Sequence, residues 1–466
     1  MRHEAATTGD YRIAARIERL PLSTWHLRVG LIIGSSWFFD GFDALAIAYV
    51  LPALIGLWKL TPGQIGLLIS AGYLGQTIGS IYFGWLAERI GRVPCALYTL
   101  LIWSVMSFAC AVAWDYNALM GMRFVQGLGL GGEIPIMATY INEFARAGRR
   151  GRFSLSYQVL FSIGLASVAF VASFVVPQFG WRWMFVIGGV PALLAIPLRR
   201  MLLESPRWLA SRGRLEEADR VLTRIETAVS RGGTRPLPPV PDDVPDVQRS
   251  AARFADLFQG IYRRRTITVW VMWICTYLVI YGLTTWLPSL WRTVYHLPVD
   301  QALRYALVTT ITSLLGAFAS IVLIDIVGRK ALFAVAQLGS AIPLLYLAAV
   351  PGLAASDVLV FVAAGLVGNS VLALCLSTYT AEIYPTEMRA LGTGVGNAWL
   401  RATSVIGPSL IGSVLLPLGG VGAVWAVMGV ASLLGGLTTL CFAVEPRGKV
   451  LEQLSPSLSS TGSPRP

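Results

Sequence analysis

Charge is scarce in this chain: only 13% of its 466 residues are Asp, Glu, Lys or Arg, while 55% are hydrophobic. So little polar surface cannot cover a soluble enzyme of this size, and the composition points to a polytopic membrane protein. Histidine is rarer still, and His3, His26 and His296 are too scattered for a triad or a metal site. The five cysteines, Cys95, Cys110, Cys275, Cys375 and Cys441, fall within hydrophobic runs without CxxC spacing, so neither a disulfide framework nor a metal site is indicated. The polar start MRHEAATTGDYRIAARIERL carries no cleavable apolar region of the signal-peptide kind. No strand precedes the glycines of GLGLGGE, so they form no nucleotide fingerprint, and nothing supports an enzyme or a cofactor. The net charge of +12 would suggest nucleic acid in a soluble chain, but here the arginines sit in short segments between hydrophobic runs and report topology.

What the chain does have is long apolar runs. Crossing ~30 Å of hydrocarbon takes about 20 residues, and twelve such runs are present: 27–56, 65–87, 94–113, 117–144, 153–177, 182–199, 266–291, 302–327, 331–350, 357–383, 391–417 and 421–444. A polar stretch at 200–263 separates the sixth from the seventh. Within it RGGTRPLPPVPDDVPD reads as disordered, and Gly213 to Ile225 as a short amphipathic helix with Leu215, Val221, Leu222 and Ile225 on one side. The expected fold is an all-α polytopic membrane protein: an N-terminal segment 1–26, a six-helix bundle 27–199, a central loop 200–263, a second six-helix bundle 264–444 and a tail 445–466. Arg12, Arg16, Arg19 and Arg28 precede the first span, Arg89 and Arg92 follow the second, Arg146 to Arg152 the fourth, Arg329 and Lys330 the eighth, Arg389 the tenth, and Arg447 and Lys449 the twelfth. Arginines also fill the central loop, which places it and both termini in the cytoplasm.

The two halves repeat. GWLAERIGR (Gly84 to Arg92) matches IVLIDIVGRK (Ile321 to Lys330), with Glu88 and Asp325 237 residues apart. Glu143 and Arg150 after span four match Glu382 and Arg389 after span ten, at an offset of 239. Glu204 in ESPRWL and Glu445 in EPRGKVLEQL lie 241 apart. Three landmarks at nearly one offset indicate an internal duplication. Glu88, Arg89, Arg92, Glu143, Arg150, Asp325, Arg329, Glu382 and Arg389 can form ion pairs across the cytoplasmic ends of the two bundles and close an inner mouth. Topology and solubility alone would explain the arginines but not the repeated acids.

Chemistry concentrates in WFFDGFDA, Trp37 to Ala44, where Asp40 and Asp43 lie inside a membrane-length apolar run. An ionisable residue there costs roughly 2.5 to 3.5 kcal/mol, so it faces a cavity with a task or is a structural, salt-bridged carboxylate. Asp43 lies about 24 Å along the first span and Arg123 about 9 Å down the fourth from the opposite side, so the two can share a level. Asp40 is one turn from Asp43, and two ionised carboxylates there would repel, which makes coupling to protons more plausible than to sodium. Glu133, ten residues past Arg123 among glycines that admit a neighbouring backbone, is a second proton-site candidate or a helix-packing glutamate. Arg401 sits about 15 Å into the eleventh span, near the midplane, with a guanidinium fork suited to a carboxylate or to an internal partner such as Asp40, Glu133 or a carbonyl. Tyr277, Tyr281 and Trp286 are candidate rings for an aromatic substrate, with core packing as the alternative. Gln158, Asn369 and Asn397 are amides that need partners in lipid and could line a cavity.

GWLAERIGR, RFVQGLGLGGE, GWRWMF, ESPRWL and EPRGKVLEQL together resemble the major facilitator superfamily in its sugar-porter-like branch. DGFD, GLGLGGEIP and AWLRATSVIGP are most similar to its bacterial metabolite:proton symporters, such as the aromatic-acid and nicotinate-type transporters, and to synaptic-vesicle-protein-like relatives. Two positions depart from the pattern: Glu88 replaces the usual aspartate and keeps its charge, and Ile321 replaces a glycine and weakens the expectation of close packing there. The resemblance implies that Asp43 pairs with Arg123; separating the two in a low-dielectric cavity would let Asp43 take up a proton, and a permanent structural ion pair is the alternative. It also implies an anionic substrate for Arg401. The expected protein is a monomeric inner-membrane symporter driven by the proton gradient, its partners a small organic acid, protons and the bilayer. A sugar or polyol symporter and a non-transporting nutrient sensor are the alternatives.

Overall fold

The computed structural model describes residues 13, 15–21, 23–144, 150–194, 200–230, 236–240 and 253–447. Backbone polar groups in lipid must be satisfied within the chain, and the apolar runs answer with helices. In order these are α1 (Thr24–Trp58), α2 (Pro62–Ile90), α3 (Arg92–Ala111), α4 (Tyr116–Phe144), α5 (Arg150–Phe179), α6 (Arg182–Gly189), α7 (Pro206–Ser211), α8 (Leu215–Val229), α9 (Gly260–Thr293), α10 (Val299–Val327), α11 (Arg329–Ala349), α12 (Ala355–Ile383), α13 (Thr386–Leu410) and α14 (Leu416–Phe442). No strand occurs among the described residues. Eight helical segments there are long and apolar enough to cross a membrane, the last running from Glu387 to Phe442 through a π-helical turn, Ile411–Leu415, and a break at Gly420 (φ 62°). That break falls between the runs 391–417 and 421–444. The run 182–199 becomes α6 and a 3₁₀ turn, Val190–Leu194; its last five residues lie outside the described residues. So do most of the Pro-rich 231–246 piece, residues 1–12 and the tail beyond 447, and the side chains of Arg150, Gln158, Ile321 and Asp325.

The chain divides into two compact units, one of Met1–Ala46, Ala71–Val171 and Gln178–Val247, the other of Ile47–Ser70, Ala172–Pro177 and Gln248–Pro466. In the first, glycines let α2, α3 and α4 approach to backbone distance. A Cβ on Gly131 of α4 would stand 1.9 Å from the Gln76 carbonyl oxygen, and one on Gly79 of α2 2.0 Å from that of Leu128. The second unit carries the end of α1 and the start of α2 beside α10 and α13. The Tyr49 and Thr310 hydroxyls bond at 2.7 Å, and Ser70 donates to the Val405 carbonyl at 2.6 Å and accepts from Ser409 at 2.8 Å.

The duplicated landmarks form the same constellation in each unit. Gly91 (φ 107°) separates α2 from α3, and Gly328 (φ 94°) separates α10 from α11, a left-handed region that suits glycine. Glu204 accepts from the backbone N–H groups of Arg92 (3.0 Å) and Val93 (3.2 Å) at the start of α3; Glu445 accepts from those of Arg329 (3.1 Å) and Lys330 (2.8 Å) at the start of α11. The carboxylates thus satisfy orphan donors at the positive ends of these helices. Arg92 reaches Glu143 at 3.0 Å and Glu88 at 2.9 Å, and Arg329 reaches Glu382 at 3.2 Å. Each of these pairs closes inside one unit, whereas the spacing alone had suggested pairs across the bundles. Arg389 donates to the Ala381 carbonyl at 2.8 Å, and Arg89 stacks 4.0 Å from the Trp85 ring.

The N-terminal segment docks as well. Ile13, Ile17 and Leu20 are buried in the same apolar cluster as Leu222, Ile225 and Val229 of α8, whose buried face extends the predicted amphipathic pattern. Arg16 donates to Glu226 at 2.7 and 3.1 Å, to Asp219 at 2.5 Å and to Thr223 at 3.0 Å, and Arg19 donates to Glu226 at 2.6 and 3.1 Å. Burial pushes the Glu226 carboxyl up, but the bonds and charges of Arg16 and Arg19 outweigh it and hold the group below its ordinary range. Its stabilising contribution is therefore present above the ordinary value, ~4.3, and is lost as pH falls through the lowered one. Glu226→Gln should weaken docking by about 1.5 to 3 kcal/mol. Trypsin cleavage after Arg16 and Arg19 should accelerate in this variant at neutral pH. Cleavage at the native rate would mean that the apolar contacts alone hold the segment.

Candidate functional site

Asp40, Asp43, Arg123 and Glu133 all lie buried in the first unit, on α1 and α4. Arg123 Nη1 donates to Asp43 Oδ2 at 3.2 Å, joining α1 to α4 as the resemblance implied. Asp43 is 0% exposed and Arg123 2%, so neither charge has water to fall back on and each depends on the other. Ser107 of α3 donates toward Asp43 Oδ1 at 3.3 Å and to the Phe185 carbonyl at 2.9 Å. Arg123 Nη1 also donates to Gln126 Oε1, one turn on, at 2.6 Å. Helix α6 closes over the pair with Gly188, where a Cβ would stand 2.7 Å from Asp43 Oδ1 and 2.8 Å from Ser107 Oγ. Ser107, Gln126 and Gly188 were not singled out from sequence; a polar residue three positions from a buried arginine was the available signal for Gln126.

Glu133 forms a separate knot. Its carboxylate accepts from the Ser36 hydroxyl of α1 and the Trp103 indole N–H of α3, so it fastens α4 to both. Ser36 lies one turn before Asp40 on α1. Among the described residues no group of three His, Cys, Asp or Glu could hold a metal.

The residues expected to line a cavity in the second half are partly committed elsewhere. Asn369 is fully buried and donates to Ser340 and Ser432 at 2.5 and 3.1 Å, tying α12 to α11 and α14. Trp286 donates to the Pro408 carbonyl at 3.0 Å, and Tyr277 to that of Ala373 at 3.0 Å. Asn397 is exposed and donates to the Thr393 carbonyl of its own helix at 3.0 Å. Tyr281 is half-buried, its ring 6.1 Å from that of Tyr277. Arg401 is half-buried on α13, with its carbonyl accepting from Ser404 at 2.8 Å.

A family model described as "Sugar (and other) transporter" matches residues 41–458. The chain belongs to that family. It is a multi-pass membrane transporter of the major facilitator superfamily, in the sugar-porter-like branch, and not an enzyme. It is 31% identical over 457 residues to a niacin transporter of Acinetobacter baylyi, covering 95% of this chain and 99% of that one. It is 33% identical over 281 residues to a 4-hydroxybenzoate transporter of Pseudomonas putida, covering 59% and 61%. The crystal structure of a D-xylose-proton symporter superposes with a TM-score of 0.71 at 19% identity over 91% of this chain and 99% of that one, a likeness of fold.

Trp103→Phe keeps a ring on α3 but removes the donor to Glu133, leaving a buried carboxylate short of a partner. Stability should fall by about 1 to 3 kcal/mol. The melting temperature of the purified transporter checks this, and an unchanged value would mean that Ser36 alone satisfies Glu133.

Proposed function

We propose that the protein imports a small organic acid together with one or more protons, by alternating access. Helices α1–α6 and α9–α14 would be its twelve spans in two six-helix bundles, in the inner (plasma) membrane with both termini cytoplasmic. The observation that carries the coupling is the buried pair of Asp43 and Arg123. An aspartate held by a guanidinium in a medium that penalises lone charge has two stable conditions: paired and ionised, or separated and protonated. Separating the pair therefore favours uptake of a proton, and re-forming it expels one. Asp40 and Glu133 are further proton-site candidates on the same helices. The cytoplasmic ion pairs would shift with the inner mouth. The bonds of Tyr49 and Ser70 to Thr310, Val405 and Ser409 would part to admit substrate from outside.

The substrate class rests on Arg401 and on the likeness to transporters named for niacin and 4-hydroxybenzoate. A guanidinium deep in a membrane helix needs an anion or strong acceptors, and a bound carboxylate is the partner that also gives it a task. An aromatic or heteroaromatic carboxylate such as nicotinate or a hydroxybenzoate suits both, with Tyr281 available to stack on its ring.

Two experiments test the reading. In vesicles with an imposed proton gradient, Asp43→Asn should abolish accumulation of nicotinate or 4-hydroxybenzoate while leaving facilitated exchange; full gradient-driven uptake would remove Asp43 from the coupling. Arg401→Lys keeps the charge but loses the planar fork, so the acid should bind more weakly by about 1.5 to 3 kcal/mol and its amide much less. An unchanged acid-to-amide ratio would sink the carboxylate clamp, and binding of sugars in place of acids would favour a sugar or polyol symporter.

A further inference from the structure

Arg123 does not offer Asp43 its fork. A guanidinium binds a carboxylate most strongly through two parallel N–H bonds, yet here Asp43 Oδ2 receives a single bond of 3.2 Å, while the same Nη1 makes its shorter bond, 2.6 Å, to Gln126 Oε1. Arg123 Nε is buried with no hydrogen-bond partner among the described residues, so a donor on the guanidinium goes unused. Only the oxygen of the Gln126 side chain can face Nη1, because the opposite amide orientation would set donor against donor. Two glycines leave room for the pair to adjust. A Cβ on Gly72 of α2 would lie 3.2 Å from Arg123 Nη2, and one on Gly188 of α6 2.7 Å from Asp43 Oδ1, so a larger residue at either position would crowd the pair.

We propose that Gln126 is a positioning residue that holds Arg123 turned away from a two-point grip on Asp43, and so sets how readily the aspartate exchanges its proton. This deepens the coupling proposed above and rests on it. Without the acceptor the guanidinium is free to turn and grip Asp43 with both arms, and protonation becomes harder. With a carboxylate in its place Arg123 is claimed by the new charge, Asp43 is left beside a like charge, and protonation becomes easier.

The other titratable groups facing the pair are few. Asp40 lies one turn away on α1, and α3 brings the Cys110 thiol, 3.7 Å from Gln126 Oε1. From α2 the Tyr73 hydroxyl reaches the Ala44 carbonyl at 3.5 Å, and α6 contributes only Gly188 and the Phe185 ring, 6.0 Å from the Arg123 guanidinium carbon. None of these is an acceptor on Arg123 that could stand in for Gln126.

The test is a pH titration of the Asp43 carboxyl by infrared difference spectroscopy on the purified full-length protein, with the band assigned by its loss in Asp43→Asn. Gln126→Met, close in volume but without the acceptor, should lower the titration midpoint by about one pH unit, a tenfold tighter hold on the ionised form. Gln126→Glu should raise it by a similar amount, and Gln126→Asn, which withdraws the amide by one methylene, should lower it less than Gln126→Met. A packing role alone would not move the midpoint in opposite directions. Shifts of one sign in the Met and Glu variants, or no shift in either, would overturn the assignment to Gln126 while leaving proton coupling intact. An Asp43 band absent from the native protein at every pH, together with no proton uptake on transport, would instead overturn the coupling and this inference with it.

Discussion

The first unit depends on a pair of charges kept from water, Asp43 and Arg123. Removing one partner of such a pair costs about 3 to 5 kcal/mol because the other is left buried and uncompensated. Asp43 on α1 and Arg123 on α4 therefore oblige those helices to stay in register, and the glycines of α2, α4 and α6 supply the closeness that the pair needs. The spacing at Gly131 and Gly79, where a Cβ would overlap a carbonyl oxygen, leaves no room for any larger residue. Glycine in RFVQGLGLGGE is thus part of the electrostatics: it brings backbones near enough for short polar side chains to reach the charges.

The starts of α3 and α11 solve a second problem twice. A helix that starts next to a membrane surface exposes unpaired N–H groups, and here a carboxylate from far along the chain, Glu204 or Glu445, accepts two of them at once. An arginine at the first helical position then turns back to an acid on α4 or α12, Glu143 or Glu382. The offsets of 237 to 241 residues made the duplication legible, because acids and Gly-Arg pairs are sparse in so apolar a chain. Direction was not legible: spacing cannot say whether an acid faces a guanidinium or a row of backbone N–H groups, and Glu204 and Glu445 chose the latter.

Legibility elsewhere followed the strength of the local signal. Apolar runs and the break at Gly420 stand out since a membrane tolerates few departures from helix. The docking of Ile13, Ile17 and Leu20 was hidden because three apolar residues among arginines look like a solvated tail until α8 offers a matching face and Glu226 an acceptor. Asn369 and Trp286 were read as cavity candidates on residue type, but a buried polar group is satisfied by whichever partner packing supplies, and theirs are Ser340 with Ser432 and the Pro408 carbonyl. Ser107 and Gln126 carry no pattern of their own. Only the position of Asp43 and Arg123 in space gives a hydroxyl and an amide their meaning.

The two repeats share an architecture but not a chemistry. The first buries Asp40, Asp43, Arg123 and Glu133, while the second buries a neutral network in which Gln337 donates to Thr276 at 3.0 Å and accepts from Thr439 at 3.3 Å, beside Asn369 with Ser340 and Ser432. Neutral amides and hydroxyls satisfy one another without a proton to gain or lose, so that network stays the same whatever the pH. Titratable buried carboxylates cannot be indifferent in that way, since their bonding depends on their charge. On the proposed mechanism a duplicated scaffold would separate two demands that conflict within one bundle: the first half would change protonation, and the second would keep its helices in place while Arg401 on α13 meets the charge of the substrate.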